Sequence, residues 1–436
     1  MLKRLDLRGL GPDVAAALPR PALSPDGPLE AVRAILARVR AGGDAAVREC
    51  TERFDGVRLD ALAVGAGAMA EAVEGLDPGL RQALEAAIEA VTAYHREQVR
   101  LDARHERDGV VVRDLRRPVA RAGVYVPGGR ARYPSTVIMA AVPAQVAGVE
   151  EVALCVPPGP DGEVPGVTLA AAGLAGITEV YRIGGAQAIG ALAYGTGTIR
   201  PVDVIVGPGN AYVALAKREV AAEGLVAVPA GFAGPSEVVV VADETTPVTY
   251  AALDVMVQAE HGPDGLAWLV TWSEEVAEAV TAEVERLVAD APRRHDIAAT
   301  LAAGGYAALV DGPEAAMAVA NAVAPEHLQL MTADPEALVG LVRNAGAVFC
   351  GPWAPASVGD YLAGPSHVLP TFGSARYASG LRVDDFVRSV HVVTLDEQAL
   401  AGVAPHVAAI AEAEGLATHA ESVRARVRAS APARPS

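Results

Sequence analysis

Aromatic side chains make up only 4% of the chain, and cysteine is down to three residues. So few aromatics leave no row of stacking platforms for nucleic-acid bases. Cys50, Cys155 and Cys350 are far apart and odd in number, which excludes a disulfide framework and a zinc knuckle. They fit a reducing, cytoplasmic setting. Positive charge is short as well: 36 Lys and Arg stand against 53 Asp and Glu, a net charge of -17. Nucleic acid and anionic membranes want the opposite sign, so neither is an expected partner. No apolar run reaches the roughly 18 residues that span a bilayer. The opening MLKRLDLRGLGPDV has basic residues but no apolar stretch behind them, so no signal peptide is expected.

What remains is a globular chain. Its 436 residues, 51% of them hydrophobic, suffice for two or three domains with their own cores. Residues 1–22 read as an N-terminal arm. Apolar residues three and four apart then predict helices, broken at Gly42-Gly43 and restarted after Asp77-Pro78. From Val110 the texture changes. Short β-rich runs such as EVALCVPP and VDVIVGPGN alternate with helical stretches such as AYVALAKREVAAEG. After SEVVVVAD the alternation repeats. That spacing predicts α/β architecture: two Rossmann-like parallel-sheet domains without G-x-G-x-x-G, plus the arm and a helical C-terminal segment. The expected division is a discontinuous larger domain of residues 23–124 and 236–377, a dinucleotide-type domain of 125–235, and a segment of 378–436 with no sheet of its own.

Several stretches could carry chemistry. In QAEH, Gln258 and His261 are i and i+3 at the end of a helix that Thr245 or Thr246 can cap. An oxygen and an imidazole nitrogen on one face can hold a divalent metal. A histidine resting on the last helix carbonyls fits the same pattern. Asp360 and His367 lie in a long Gly/Pro-rich loop, GPWAPASVGDYLAGPSHVLPT. Asp360 reads as a metal carboxylate or as a turn residue. Glu414 and His419 are five apart, about 140° around an unbroken helix. Gly415 between them signals a helix stop that would put them on separate segments. Ser236 tops a strand, and no pattern names its role. Glycine turns at GVYVPGG, IGGAQAIG and VGPGNAYV can bring N–H groups to a phosphate, or simply turn the chain. In APEHLQL, Glu326 and His327 stand side by side at a helix-to-strand junction. A histidine there can take an alcohol proton and a glutamate can activate water, or both can be polar loop ends.

These motifs occur together and in order: YVPGGRARYPSTVIM, GGAQAIGALAYGT, VGPGNAYVALAKR, AGPSE, QAEH, APEHLQL, VGDYLAGPSHVLPT and EGLATHA. As a set, over residues 25 to 428, the chain resembles the histidinol dehydrogenases. The resemblance implies oxidation of L-histidinol to L-histidine through L-histidinal, the last step of histidine biosynthesis, with zinc and NAD as cofactors. It implies Gln258, His261, Asp360 and His419 as zinc ligands. Glu326 and His327 match the water-activating glutamate and the general base. Ser236, His367 and Glu414, together with the zinc ligands and His327, match the substrate site. Tyr125, Gln187 and Asn210 match NAD contacts. The family forms homodimers in which the C-terminal segment reaches the partner's site, so Glu414 and His419 would act there. Gly262 stands where the family commonly has aspartate, and VPAGFAGPSE lacks a common acidic residue. Other dehydrogenases on the same scaffold, a zinc-stabilised assembly protein and a zinc hydrolase are the rival readings.

Overall fold

The computed structural model describes residues 1–19, 28–128, 132–229, 236–262 and 265–430; the His261 side chain lies outside the described residues. Strand β1 (Lys3–Asp6) comes first, followed by the pair β2 (Ala103–Arg107) and β3 (Val110–Pro118). Next come β4 (Arg121–Tyr125), β5 (Glu151–Val156), β6 (Glu179–Arg182) and β7 (Val204–Val206). They form one parallel sheet in the order β6-β5-β4-β7. Then β8 (Glu237–Ala242), β9 (Leu266–Thr271), β10 (Gly305–Leu309), β11 (His327–Met331) and β12 (Ala347–Cys350) follow. With β1 they form a six-stranded parallel sheet, β1-β10-β9-β8-β11-β12. The last strand, β13 (Val387–Thr394), returns to β3 and builds an antiparallel sheet, β13-β3-β2.

The sequence explains the central strands. Val238 to Val241 are all fully buried, as a continuous valine run must be in a parallel sheet covered on both faces. Helices Pro134–Val146 and Gly185–Tyr194 are buried almost all round because they lie between the four-stranded sheet and further helices, Pro78–Arg96 over the first and Leu29–Asp55 over the second. Asp77 caps the helix Pro78–Arg96 by accepting from the N–H groups of Gly79 and Leu80. Gly43, at φ 52°, kinks the helix Leu29–Asp55 where the glycine pair signals a break.

Four expectations change. The N-terminal arm contributes β1, an edge strand of the six-stranded sheet. The helices Leu29–Asp55, Ala68–Glu74 and Pro78–Arg96, expected with the larger domain, pack on helices of the four-stranded sheet, because their apolar faces match that surface. Thr246 does not cap its helix: its hydroxyl donates to the Met331 carbonyl, and Pro247 takes the cap position. The C-terminal segment does own a strand, β13.

By compactness the chain forms two units, residues 1–98 with 119–386, and residues 99–118 with 387–436. The first holds both parallel sheets. The second holds the antiparallel sheet and the helices Glu397–Ala413 and Ala417–Ser430, joined by Ala408, Ala411 and Ala420 and by a 2.6 Å Arg424–Glu412 ion pair. None of the described helices is long and apolar enough to cross a membrane.

One buried ion cluster supports the first unit. The Arg121 side chain, 6% exposed, donates to Glu151 at 2.9 Å and to Glu179 at 2.7 Å. Removing one partner strands the others in a poorly solvated place. Arg121→Met should cost about 2–4 kcal/mol, less than a fully enclosed pair because Glu151 is 42% exposed. A urea midpoint equal to that of the parent would refute it.

Candidate active site

Both parallel sheets have a point where the strand order reverses. In the four-stranded sheet it lies between β4 and β7, and crevices for ligands open at the carboxyl ends of such strands. Tyr125 ends β4, and its hydroxyl accepts from the Gly185 N–H at 3.2 Å. Burial raises the Tyr125 phenol well above its ordinary range. Gln187 is buried one turn into the helix after β6. Asn210 caps the helix Ala211–Ala222, its side chain accepting from the Val213 N–H. Tyr125, Gln187 and Asn210 thus gather at one edge of this sheet. Between them, Gly207 sits at φ 105°, where a Cβ would fall 2.0 Å from the Tyr125 carbonyl oxygen. Lys217, fully enclosed, donates to the Gly207 carbonyl, and burial lowers its amine to about 7. The sequence held a signal for it: Lys217 falls on the buried stripe with Val213, Ala216 and Val220.

In the six-stranded sheet the reversal lies between β8 and β11. Here the candidate pair Glu326–His327 sits at the opposite, amino-terminal edge, where His327 begins β11. The helix Pro313–Val323 ends on Ala324, which adopts a left-handed φ of 52°, and Pro325 then leads into Glu326 and β11. Gly346 pairs its N–H with the Pro325 carbonyl at 2.9 Å, and a Cβ there would meet the Glu326 carbonyl at 2.6 Å. Glu326 and His327 are both buried.

Main-chain groups of β8 hold the pair. The Glu237 N–H donates to Glu326 Oε2 at 3.0 Å. His327 Nδ1 lies 3.2 Å from the Glu237 carbonyl. A carbonyl only accepts, so Nδ1 carries the proton and Nε2 of the neutral ring is the basic nitrogen. Among the described residues His327 Nε2 has no hydrogen-bond partner; Asp360 Oδ1 stands 3.4 Å away. Phe349 stacks on the ring at 5.9 Å. Burial pulls the His327 pKa down, but Glu326 and Asp360 outweigh it and raise it to about 9. Burial pushes Glu326 up to about 7, against the pull of His327.

The helix after β8 returns to this edge. It stops at Val257, one residue short of Gln258, which closes it, and Ala259–His261 continue as a 3-10 turn. Gln258 and His261 therefore share a tighter spacing than the expected α-helical face. Gln258 Nε2 lies 3.4 Å from Asp360 Oδ2. Among the described residues, the buried Gln258 Oε1 has no partner. Asp360 lies in the short helix Ala356–Tyr361. His367 Nδ1 reaches the Asp360 carbonyl at 3.1 Å, and its Nε2 reaches Thr136 Oγ1 at 3.2 Å. Ser236 immediately precedes β8 and gives its carbonyl to the Leu266 N–H. The structure thus brings together Gln258, Asp360, Glu326, His327 and His367.

Glu414 and His419 belong to the second unit. Gly415, at φ 76°, separates the two helices there, so they do lie on separate segments, and both side chains are exposed. Among the described residues no group of three His, Cys, Asp or Glu could by itself hold a metal ion.

The family model for histidinol dehydrogenase matches residues 18–427. The chain belongs to the histidinol dehydrogenase family. The chain is 48% identical over 398 residues to the histidinol dehydrogenase of Geobacillus kaustophilus (strain HTA426), covering 91% of this chain and 93% of that one. It is 46% identical over 399 residues to that of Bacillus subtilis (strain 168), covering 91% and 92%. The crystal structure of histidinol dehydrogenase from Elizabethkingia anophelis superposes with a TM-score of 0.92 at 32% identity, over 98% of each chain. The chain is therefore an oxidoreductase of this family, with its mixed α/β fold.

Sequence reading did not anticipate Glu237. It appears in the strand pattern as the first residue of a valine run, yet both of its main-chain polar groups bind the Glu326–His327 pair.

Proposed function

We propose that the chain oxidises L-histidinol to L-histidine through L-histidinal at one site, using two NAD and one water, as the last step of histidine biosynthesis in the cytoplasm. The observation that carries this reading is the buried His327 ring. Its Nδ1 is committed to a carbonyl, and its Nε2 is left to accept a proton beside Asp360 and Gln258.

The donor set fits zinc. The Gln258 amide stands beside the Asp360 carboxylate, with Nε2 3.4 Å from Oδ2, and its buried Oε1 has no partner among the described residues; a cation would satisfy both side-chain oxygens. Zinc, held by Gln258, His261, Asp360 and His419, would supply a positive centre that grips the imidazole and amine of the substrate and offsets the Asp360 charge. NAD, bound against Tyr125, Gln187 and Asn210, would supply the hydride acceptor. The reversal of strand order at β4 and β7 supports that placement.

His327 takes the alcohol proton at Nε2 as the carbon gives up hydride. Glu326 then takes a proton from the water that adds to the aldehyde. Its raised pKa, near neutrality, suits a group that must hold and release a proton at working pH. His327 repeats its role when the hydrated aldehyde is oxidised. Ser236, His367 and Glu414 orient the substrate.

A homodimer completes the site, with Glu414 and His419 serving the partner chain. Exposed apolar side chains support it: Trp353, Tyr361 and Leu253 beside the Gln258 and Asp360 helices, and Ile410 in the second unit.

The deciding experiment counts NADH per L-histidinol on zinc-loaded enzyme, after chelation, and after zinc is restored. Two NADH with zinc, almost none without, and recovery on readdition are expected. One NADH would reduce the chain to a simple alcohol dehydrogenase. None from the zinc-loaded enzyme would overturn the substrate.

A further inference from the structure

Strand β12 pairs with β11 so that Ala347 lies opposite His327 and Phe349 opposite Gln329. Side chains alternate along a strand, so Phe349 shares a sheet face with His327. Its ring stacks on the imidazole, with centroids 5.9 Å apart and planes 23° from parallel. The reaction above gives this ring no part. The Cε1–Cζ end of the same ring meets Gly359. A Cβ built on Gly359 would fall 2.6 Å from both ring atoms, closer than real side chains come. Gly359 lies inside the helix Ala356–Tyr361 and directly precedes Asp360, whose Oδ1 stands 3.4 Å from His327 Nε2. Glycine is a poor helix former, and alanine is the best. The backbone does not call for glycine here, since Gly359 has no left-handed φ. What calls for it is room for the Phe349 ring.

We propose that Phe349 is a positioning residue of this site, a spacer whose ring holds the His327 imidazole on one side and the Asp360 helix, at Gly359, on the other. The separation of His327 Nε2 from the Asp360 carboxylate is then set by the width of one rigid side chain. The root of the loop is fixed separately: Gln329 donates to the Gly351 carbonyl at 2.9 Å, and the Gly351 N–H donates to the Leu330 carbonyl at 2.8 Å. With the root held, the ring is the stop against which the helix rests. A slip of about 1 Å in such a separation can cost a hundredfold in rate. Leucine at 349 is shorter and leaves a gap on both sides. Alanine at 359 drives a methyl group into the ring. Made together, the two changes nearly conserve the total side-chain volume, which packed interiors tolerate best.

This inference rests on the proposed reaction for its kinetic consequence, but the spacer can also be read without substrate. The test compares Phe349→Leu, Gly359→Ala and the double variant with the parent. In the parent background, Gly359→Ala should lower the urea midpoint. In the Phe349→Leu background the same alanine should raise it, because the methyl has room and the helix gains propensity. On L-histidinol, each single variant should lose about a hundredfold in kcat while KM moves less than about threefold, since the ring touches His327 and not the substrate. The double variant should recover at least about tenfold in kcat over either single one. Losses that simply add in the double variant, in midpoint and in kcat, overturn the spacer. Parental kcat in both single variants overturns it too, and so does a loss seen in KM alone, which would make Phe349 a wall of the substrate pocket. If Gly359→Ala does not fold, the double variant is read against Phe349→Leu: a higher midpoint and kcat support the spacer, and no recovery sinks it. A parent enzyme that ignores L-histidinol would overturn the proposed reaction, while the midpoints would still decide the spacer.

Discussion

His327→Asn is expected to slow NADH formation about a thousandfold, whether L-histidinol or L-histidinal is supplied. A positioned general base contributes roughly 10²–10⁴ in rate, and in the proposed reaction this ring would serve both oxidations. Asparagine keeps a side-chain N–H for the Glu237 carbonyl, which His327 Nδ1 now meets at 3.2 Å. It offers nothing basic where Nε2 faces Asp360. Zinc content should stay at the parental value, because His327 is not among the proposed ligands. Rates within tenfold of the parent on either substrate would remove His327 from the base role.

Glu326→Gln should separate the two halves of the reaction. Glutamine can still accept the Glu237 N–H through its amide oxygen, so the local geometry survives. It cannot take a proton from water. Oxidation of the aldehyde should fall about 10²–10³-fold, and oxidation of the alcohol by less than about tenfold. The pH profile should move as well. Glu326 is one of two carboxylates that raise His327 to about 9. Without its charge the ring loses its proton more easily, so the alcohol step reaches its plateau at lower pH. The measurement is single-turnover NADH formation from each substrate across pH. A loss confined to the alcohol step, or a plateau shifted to higher pH, would refute the assignment.

Much of the fold was legible because the central strands are uninterrupted. A run such as VVVV at Val238–Val241 has nowhere to go but a sheet covered on both faces. Strand β1 was not legible: KRLD is short, charged and at a sheet edge, where pairing comes from main-chain bonds and leaves little trace in side-chain pattern. β13 is similar, mostly exposed, with its partner far back in the chain. Of the candidate site, the Glu326–His327 pair, Asp360, Gln258 and His367 were found through motifs and do converge. Spacing alone could not bring them together, since they come from different ends of crossover helices and loops. Glu237 escaped because its action is largely through main-chain atoms, which every residue type carries.

The pairing of β3 with β13 sets an order of assembly. Pro118 lies opposite Val387, so the β2–β3 hairpin leaves the ribosome about 270 residues ahead of the strand that covers it. At roughly 5–20 residues per second, that edge waits for tens of seconds of translation. A two-stranded hairpin is marginal in water, and an open edge invites pairing with other chains. Charged side chains on β2 and β3, Arg104, Glu106, Arg113 and Arg116 among them, discourage such pairing meanwhile. The unit that carries Glu414 and His419 is therefore the last part of the chain to be born whole. Both parallel sheets have been synthesised in full before its final strand emerges.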